Sequence, residues 1–480
     1  MKISFPYFLL LISIVTTGFS QDVTISEEVP LRSDQSYSII GKFNEKLLLY
    51  QDKGTEFEIQ AFNEVLGLSW TKQLDLDKKR PVVLDVIGLE DYFYVIYKFR
   101  SKGNSIIKVH KYNEAANLVD STVVYDYGKR FYSPAPEIVY SEDKKMLLIY
   151  HTEYYSKIEV AVFNLMEMKQ IWDKEFSPQD LKFGADFYQM LVDNEGGMHM
   201  VLIRENDRLK KDDPHYFEMI YQAPATDQST SFYTVDLEGK LSYDTYFKVD
   251  NLNRTLVAGG MHSDKNKGRT QGYYFINIPI SDPNKYKLTF YEYKLDFMEQ
   301  LVDKKAKVNK GLFDVGIQDI VLRRDGGIII VCEQRKDFER ATGYTNSTRT
   351  YYANDNGRLK VDHYYEDLFL FSVHPDGVHH WETILHKKQY SQDDAAAFSS
   401  FFLAKTSKSI RLIYNDEIRN ENTVSEYVIK GSGDFDRNSI LNTATQELSL
   451  RFKESKQVAA NEVIVPSERK SRLKLVRMLF

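Results

Sequence analysis

One cysteine in 480 residues rules out an intrachain disulfide, so packing alone must hold the fold. That residue, Cys332, ends the run Ile328-Ile329-Ile330-Val331 and reads as a buried, inert thiol. Its position also closes the route to a lipid anchor, which needs a cysteine just after a leader. Proline is scarce, at 12 residues, and no Gly/Ser/Pro-rich linker interrupts the chain. One large repetitive domain is therefore expected rather than several joined ones. After the first twenty residues no apolar run approaches membrane-spanning length. Positive charge is not in excess: the formal charge is −6, and −7 without Lys2, which argues against nucleic acid as a partner.

Catalytic signatures are missing as well. There is no HExxH or paired-cysteine motif, no P-loop, no dinucleotide fingerprint and no G-x-S-x-G elbow. His379 and His380 are adjacent and would point to opposite faces of a strand, with His363, His374 and His386 scattered around them. No metal site is predicted from these histidines.

What the chain has is a beginning, a repeat and many aromatics. Lys2, the apolar stretch Phe5 to Val15 and the small-x-small triplet Gly18-Phe19-Ser20 read as a secretory signal over residues 1–20. The expectation is a mature chain from about Gln21, secreted, periplasmic or at the cell surface, with no transmembrane anchor. The 33 tyrosines and 29 phenylalanines suit pleated, half-buried strands.

The repeat is a short apolar run that follows a polar turn and ends in a charged or amide side chain. Clear copies are Leu47 to Tyr50, Phe93 to Tyr97, Met146 to Tyr150, Met200 to Ile203, Ile328 to Cys332 and Leu412 to Tyr414, with a degenerate one at Leu256-Val257-Ala258. Another short apolar strand precedes each turn, making a hairpin. A second hairpin follows, in which an aromatic trails the turn: Phe62-Asn63 leads to Trp70, Phe163-Asn164 to Trp172, Val235-Asp236 to Tyr243, and Val373 to Trp381. All three tryptophans of the chain fall in this slot.

Two hairpins per unit make four antiparallel strands, the blade of a β-propeller. The copies are about fifty residues apart early on and about eighty later. The expectation is an all-β chain, a single propeller over residues 21–480 with seven four-stranded blades. Stacked β-sandwiches would explain the strands but not the shared tryptophan slot. Val463-Ile464-Val465 and Leu473 to Leu479 read as extended chain that closes the ring, with Val23-Thr24-Ile25 as the competing closer. The spacing of Phe297, Met298, Leu301, Val302 and Ala306 predicts a short helical insertion near 297–310. Arg335 to Lys360 reads as a long loop, the usual carrier of function on a rigid scaffold.

Equivalent strand ends in a propeller share one face. The polar ends of the runs, Asp52, Lys98, Glu153, Arg204, Glu205, Glu333, Asn415 and Asp416, are therefore the candidate binding residues, read as a ring at one mouth of the channel. Carboxylates predominate there, which suits a hydroxyl-rich ligand or an axial divalent cation, although the sequence requires no cofactor. Asp52, Glu153, Glu205, Glu333 and Asp416 are also the acids that a glycan hydrolase would draw upon. The C-terminal basic run, Arg469, Lys470, Arg472, Lys474 and Arg477, alternates with apolar residues as the exposed face of a last strand.

The phrases Gly316-Ile317-Gln318-Asp319-Ile320, Arg324-Asp325-Gly326-Gly327 and Leu412-Ile413-Tyr414-Asn415-Asp416 resemble those of uncharacterised secreted propeller-like proteins of Bacteroidetes-type bacteria. That resemblance covers most of the chain and implies the fold without an activity. The repeat signatures of WD40, kelch and sialidase propellers are absent. The reading that follows is a monomeric, exported binding or interaction module with a protein or glycan partner. A glycan-active hydrolase and a purely structural envelope protein are the alternatives.

Overall fold

The computed structural model describes residues 22–480 apart from 79, 154–155, 207–213, 225–229, 265–267, 302–310, 342–358, 417, 419–422 and 444–445. Its strands form eight antiparallel four-stranded sheets, seven of them built from four consecutive strands, and two sheets gain an extra short strand. The protein is an all-β propeller with eight blades, one more than the repeat count predicts. The apolar runs are the second strands of blades 1 to 7, beginning with Lys46–Asp52 and Tyr92–Ser101.

These runs are continuous rather than alternating because both faces of a second strand are buried. In blade 1, Leu48 and Tyr50 pack toward blade 2 while Leu47 and Leu49 pack toward blade 8. Eight hydrophobic clusters result, each bridging two neighbouring blades, so the core is a closed ring of interfaces. The degenerate run of blade 5 has a steric cause. A Cβ on Gly260 would meet the Tyr274 ring at 2.0 Å, and one on Gly259 would meet Ile330 of blade 6 at 2.6 Å. The neighbours fill those layers, so the run can carry no side chains there.

The eighth blade explains the miscount. Its first three strands are Lys456–Ala459, Glu462–Arg469 and Arg472–Leu479, and its fourth is Asp22–Ile25 from the other end of the chain. Val463-Ile464-Val465 is thus an eighth second strand rather than a closing segment. No second hairpin follows it in sequence, because its last strand arrives from the N-terminus, paired from Asp22↔Leu479 to Ile25↔Val476.

Three further expectations change. Trp70, Trp172 and Trp381 all lie on fourth strands, and Trp172 and Trp381 donate to Gly196 O and Gly431 O of the next blade at 2.9 and 3.0 Å. Tyr243 does not share their slot, since it lies on the first strand of blade 5, Leu241–Asp250. The segment from Arg335 to Lys360 is not simply a loop. Ile328–Ala341 and Leu359–Val373 run past the blade as a paired hairpin, to which Gln389–Gln392 adds a third strand. The helix covers Leu295–Leu301 and buries Phe297, Met298 and Leu301 against blade 6, while Val302 and Ala306 lie outside the described residues.

The first strands line the axis, where those of neighbouring blades pack on one another. In blades 1, 2, 4, 5 and 6 a bulge interrupts this strand. Blades 2, 5 and 6 place an aspartate just after it, and Asp85, Asp244 and Asp319 each accept the next residue's own N–H at 2.8–2.9 Å. Each also reaches an adjacent blade. Tyr140 Oη donates to Asp85 at 2.8 Å, Ile317 N to Asp244 at 2.8 Å, and Lys248 Nζ to Asp319 at 2.5 Å. These bulges stitch the inner ring together.

Candidate functional site

Second strands end, and the linkers between blades run, on one side of the ring, called here the upper face. A linker lies outside any sheet, so its carbonyls need donors from elsewhere. The strand-end side chains supply them. Lys98 Nζ donates to Pro134 O, and burial lowers its pKa. Arg204 donates to Gln179 O at 3.0 Å and pairs with Asp186 at 2.9 Å and Glu218 at 2.6 Å. Asn415 Nδ2 donates to Phe398 O and Leu450 O, both at 2.9 Å, holding the linkers on either side of blade 7. Gln51 does the same to Pro30 O at 2.9 Å. A polar ending recurs because every blade must clasp a linker.

The remaining candidates have individual partners. Asp52 accepts from Gly54 N at 2.7 Å, and Asp416 pairs with Arg437 at 2.6 Å. Glu153 and Glu159 both hold Arg130 of the linker from blade 2, at 2.5 and 2.7 Å. Glu205 sits in left-handed backbone and lines, with Arg204, a pocket of 380 Å³ in blade 4. Glu333 is sealed: it pairs with Lys387 at 2.8 Å, both side chains fully buried, and accepts Ser400 Oγ at 2.7 Å. Burial pulls the Lys387 ammonium below the ordinary lysine value despite Glu333. The structure thus brings Arg204 with Glu205 and Asn415 with Asp416, and spreads the others around the ring. A wider recess of 590 Å³ opens between blades 6 and 7 beside Asp367, His386, Asp416 and Arg437.

Metal ligation has one candidate group among the described residues, His262, Asp264 and Glu292 in blade 5, with ligand atoms within 4.8 Å of one another. A cation is already present, because Lys240 Nζ lies 2.9 Å from Asp264 and 3.2 Å from Glu292. Lys240 belongs to the linker from blade 4, so this too is a clasp.

Sequence reasoning did not find the exposed aromatics. Phe131 is fully exposed, and Tyr132, Phe313, Phe338 and Tyr364 are also exposed. All five lie on the upper face or on the hairpin that extends beyond it. The large apolar residues exposed at lower-face turns and strand starts are mostly aliphatic, such as Val65, Leu118, Leu252 and Val378. Phe131 is held on a braced loop. Arg130 beside it is gripped by Glu153 and Glu159 and donates to Tyr132 Oη at 2.9 Å, while Lys98 and Arg100 donate to the carbonyls of Pro134 and Arg130. The available signal was the triplet Arg130-Phe131-Tyr132, placed directly after a strand end.

No family model matches the sequence. No curated protein matches it either. Among solved structures it is similar to the dipeptidyl peptidase 4 of Porphyromonas gingivalis, with 11% identity over 91% of this chain and 56% of that one, at a TM-score of 0.44. It is also similar to a protein of unknown function from Bacteroides caccae, with 12% identity, 74% and 94% coverage and a TM-score of 0.27. The propeller domain of the Trilobed protease from Pyrococcus furiosus is 10% identical, with 85% and 98% coverage and a TM-score of 0.35. The assignment of this chain as a β-propeller rests on its own ring of eight sheets.

Proposed function

We propose that this chain is an exported β-propeller that serves as a binding module at the cell envelope or outside it, offering its upper face to a protein or glycan partner. The observation supporting this is the exposure of Phe131, Tyr132, Phe313, Phe338 and Tyr364 beside ion-paired arginine on that one face. Aromatic side chains and arginine dominate the energetic centres of protein interfaces, and a braced aromatic loses little entropy when it is covered. The strand-end residues Lys98 and Glu153 position that surface. Asp52, Glu205 and Asp416 supply polar contacts at its margins, and Arg204, Glu333 and Asn415 hold the linkers beneath it. Catalysis is disfavoured because Glu153, Glu333 and Asp416, three of the five candidate acids, are committed to cations at 2.5–2.8 Å.

The experiment is site-specific photocrosslinking in the producing cell, with a benzophenone side chain at 131, 313 or 338 on the upper face, and at 65 or 252 on the lower. Adducts confined to the upper positions are expected. Adducts from both faces alike, or from the lower positions alone, would overturn the assignment.

A further inference from the structure

At the opposite end of the ring the axial channel widens into a cavity of 370 Å³, to which the first strands of five successive blades contribute. Its wall is apolar on one side, with Met190, Val192, Tyr246 and Leu322. Lys405, from the end of the first strand of blade 7, faces them. Two other lysines of the inner strands are spoken for: Lys248 donates to Asp319, and Lys456 donates to Ile39 O at 2.9 Å. No ion pair or hydrogen bond holds Lys405 Nζ among the described residues. Its backbone, by contrast, is fixed from both sides, since Lys405 N donates to Gln457 Oε1 at 3.0 Å and Gln457 Nε2 donates to Lys405 O at 2.7 Å.

Lys405 is open to solvent and yet enclosed by protein. Its side chain is exposed by surface area. Desolvation by the surrounding walls nevertheless lowers its pKa, helped by Lys248 and opposed by Asp319 and Glu142. The two observations agree for a group lining a water-filled cavity. Glu142 also lines the cavity, but neither it nor Asp319 pairs with the ammonium. A cation with a fixed base, an apolar wall opposite and no carboxylate in contact is an incomplete arrangement. A volume above 300 Å³ lies within the range of small-molecule sites.

We infer that the lower end of the axial channel binds a small organic anion, its carboxylate on Lys405 and its apolar body against Met190, Val192, Tyr246 and Leu322. The chain carries a net charge of −6, so this selectivity is built locally and runs against the molecule's overall field. The site is on the far side of the ring from the upper face and does not depend on what binds there.

Isothermal titration calorimetry of the chain from residue 21 to 480 tests it, with hexanoate, hexanol and inorganic phosphate as probes. Hexanoate is expected to bind more tightly than either hexanol, which lacks the charge, or phosphate, which lacks the apolar body. Lys405→Met should weaken hexanoate about tenfold or more, the loss of one charge-assisted hydrogen bond, and Lys405→Arg should retain it. Circular dichroism of both variants checks folding, and Lys405→Gln replaces the methionine variant if that one fails to fold. No hexanoate binding to the wild type, or equal affinity after the charge is removed, would overturn the inference. Phosphate binding as tightly as hexanoate would overturn the part played by the apolar wall.

Discussion

Glu333 and Lys387 face each other at 2.8 Å with neither side chain reached by solvent. Lys387 also donates to Tyr365 O at 3.2 Å and to Gln389 Oε1 at 2.9 Å, and Ser400 holds the other carboxylate oxygen. The pair joins the second strand of blade 6 to the linker that leads into blade 7. Breaking it from one side strands a buried charge. Glu333→Gln and Lys387→Met, taken singly, should each cost about 3–5 kcal/mol, whereas the double replacement should recover much of that loss. Chemical denaturation of the three variants measures the coupling, and additive losses would show the pair to be energetically idle.

Stability should be lost on both sides of neutrality. Burial pushes His199 down to about 4, and burial together with Lys108 does the same to His110. Their folded pKa lies below the unfolded value of 6.5. The unfolded chain therefore takes up protons first, and stability present above that value drains away as the pH falls toward 4. Tyr140, Tyr274 and Tyr293 are shifted the other way, with burial raising each above the ordinary 10.0. Their contribution is present below pH 10 and lost above it. Denaturation midpoints followed from pH 4 to 11 should show a plateau with two falling limbs.

Lys456 makes a separate prediction. Burial, with Lys144 nearby, depresses it to about 8 from 10.5. A depressed lysine penalises the folded state wherever both states are protonated, and the penalty fades as pH rises from about 8 to 10.5. Lys456→Met should accordingly raise Tm at pH 7 by more than it does at pH 10. An equal effect at both would assign the change to packing alone.

Gly433 lies under Trp381. A Cβ there would stand 2.7 Å from Trp381 Cδ2, and the backbone is left-handed with φ of +91°. Gly433→Ala should cost on the order of 1–3 kcal/mol by combining strain with a displaced indole, visible as lost tryptophan anisotropy. Gly239, also left-handed but with open space around it, should tolerate alanine better.

The propeller was legible because a strand buried on both faces leaves an unbroken apolar run, and seven such runs recur along the chain. The eighth, Val463-Ile464-Val465, was visible as well. No second hairpin follows it in sequence, because that blade takes Asp22–Ile25 as its fourth strand. Positions of the polar strand ends were legible too, but their work was not. Asn415 reaches Phe398 O and Leu450 O, and nothing in a sequence shows where a linker's carbonyls will lie. Phe131 gives little signal of its exposure, because a phenylalanine in a strand-rich chain usually packs inside. Lys405 gave no signal, since its meaning depends on four other blades.

The fourth strand of the last blade has a temporal consequence. Residues 22–25 leave the ribosome long before residues 476–479, the segment they pair with. During synthesis the one strand must wait for the other, so closure is the longest-range strand pairing among the described residues. Until it forms, the ring has an open seam with two unpaired edges. Whatever meets this protein in that interval meets a chain that has blades but no circle.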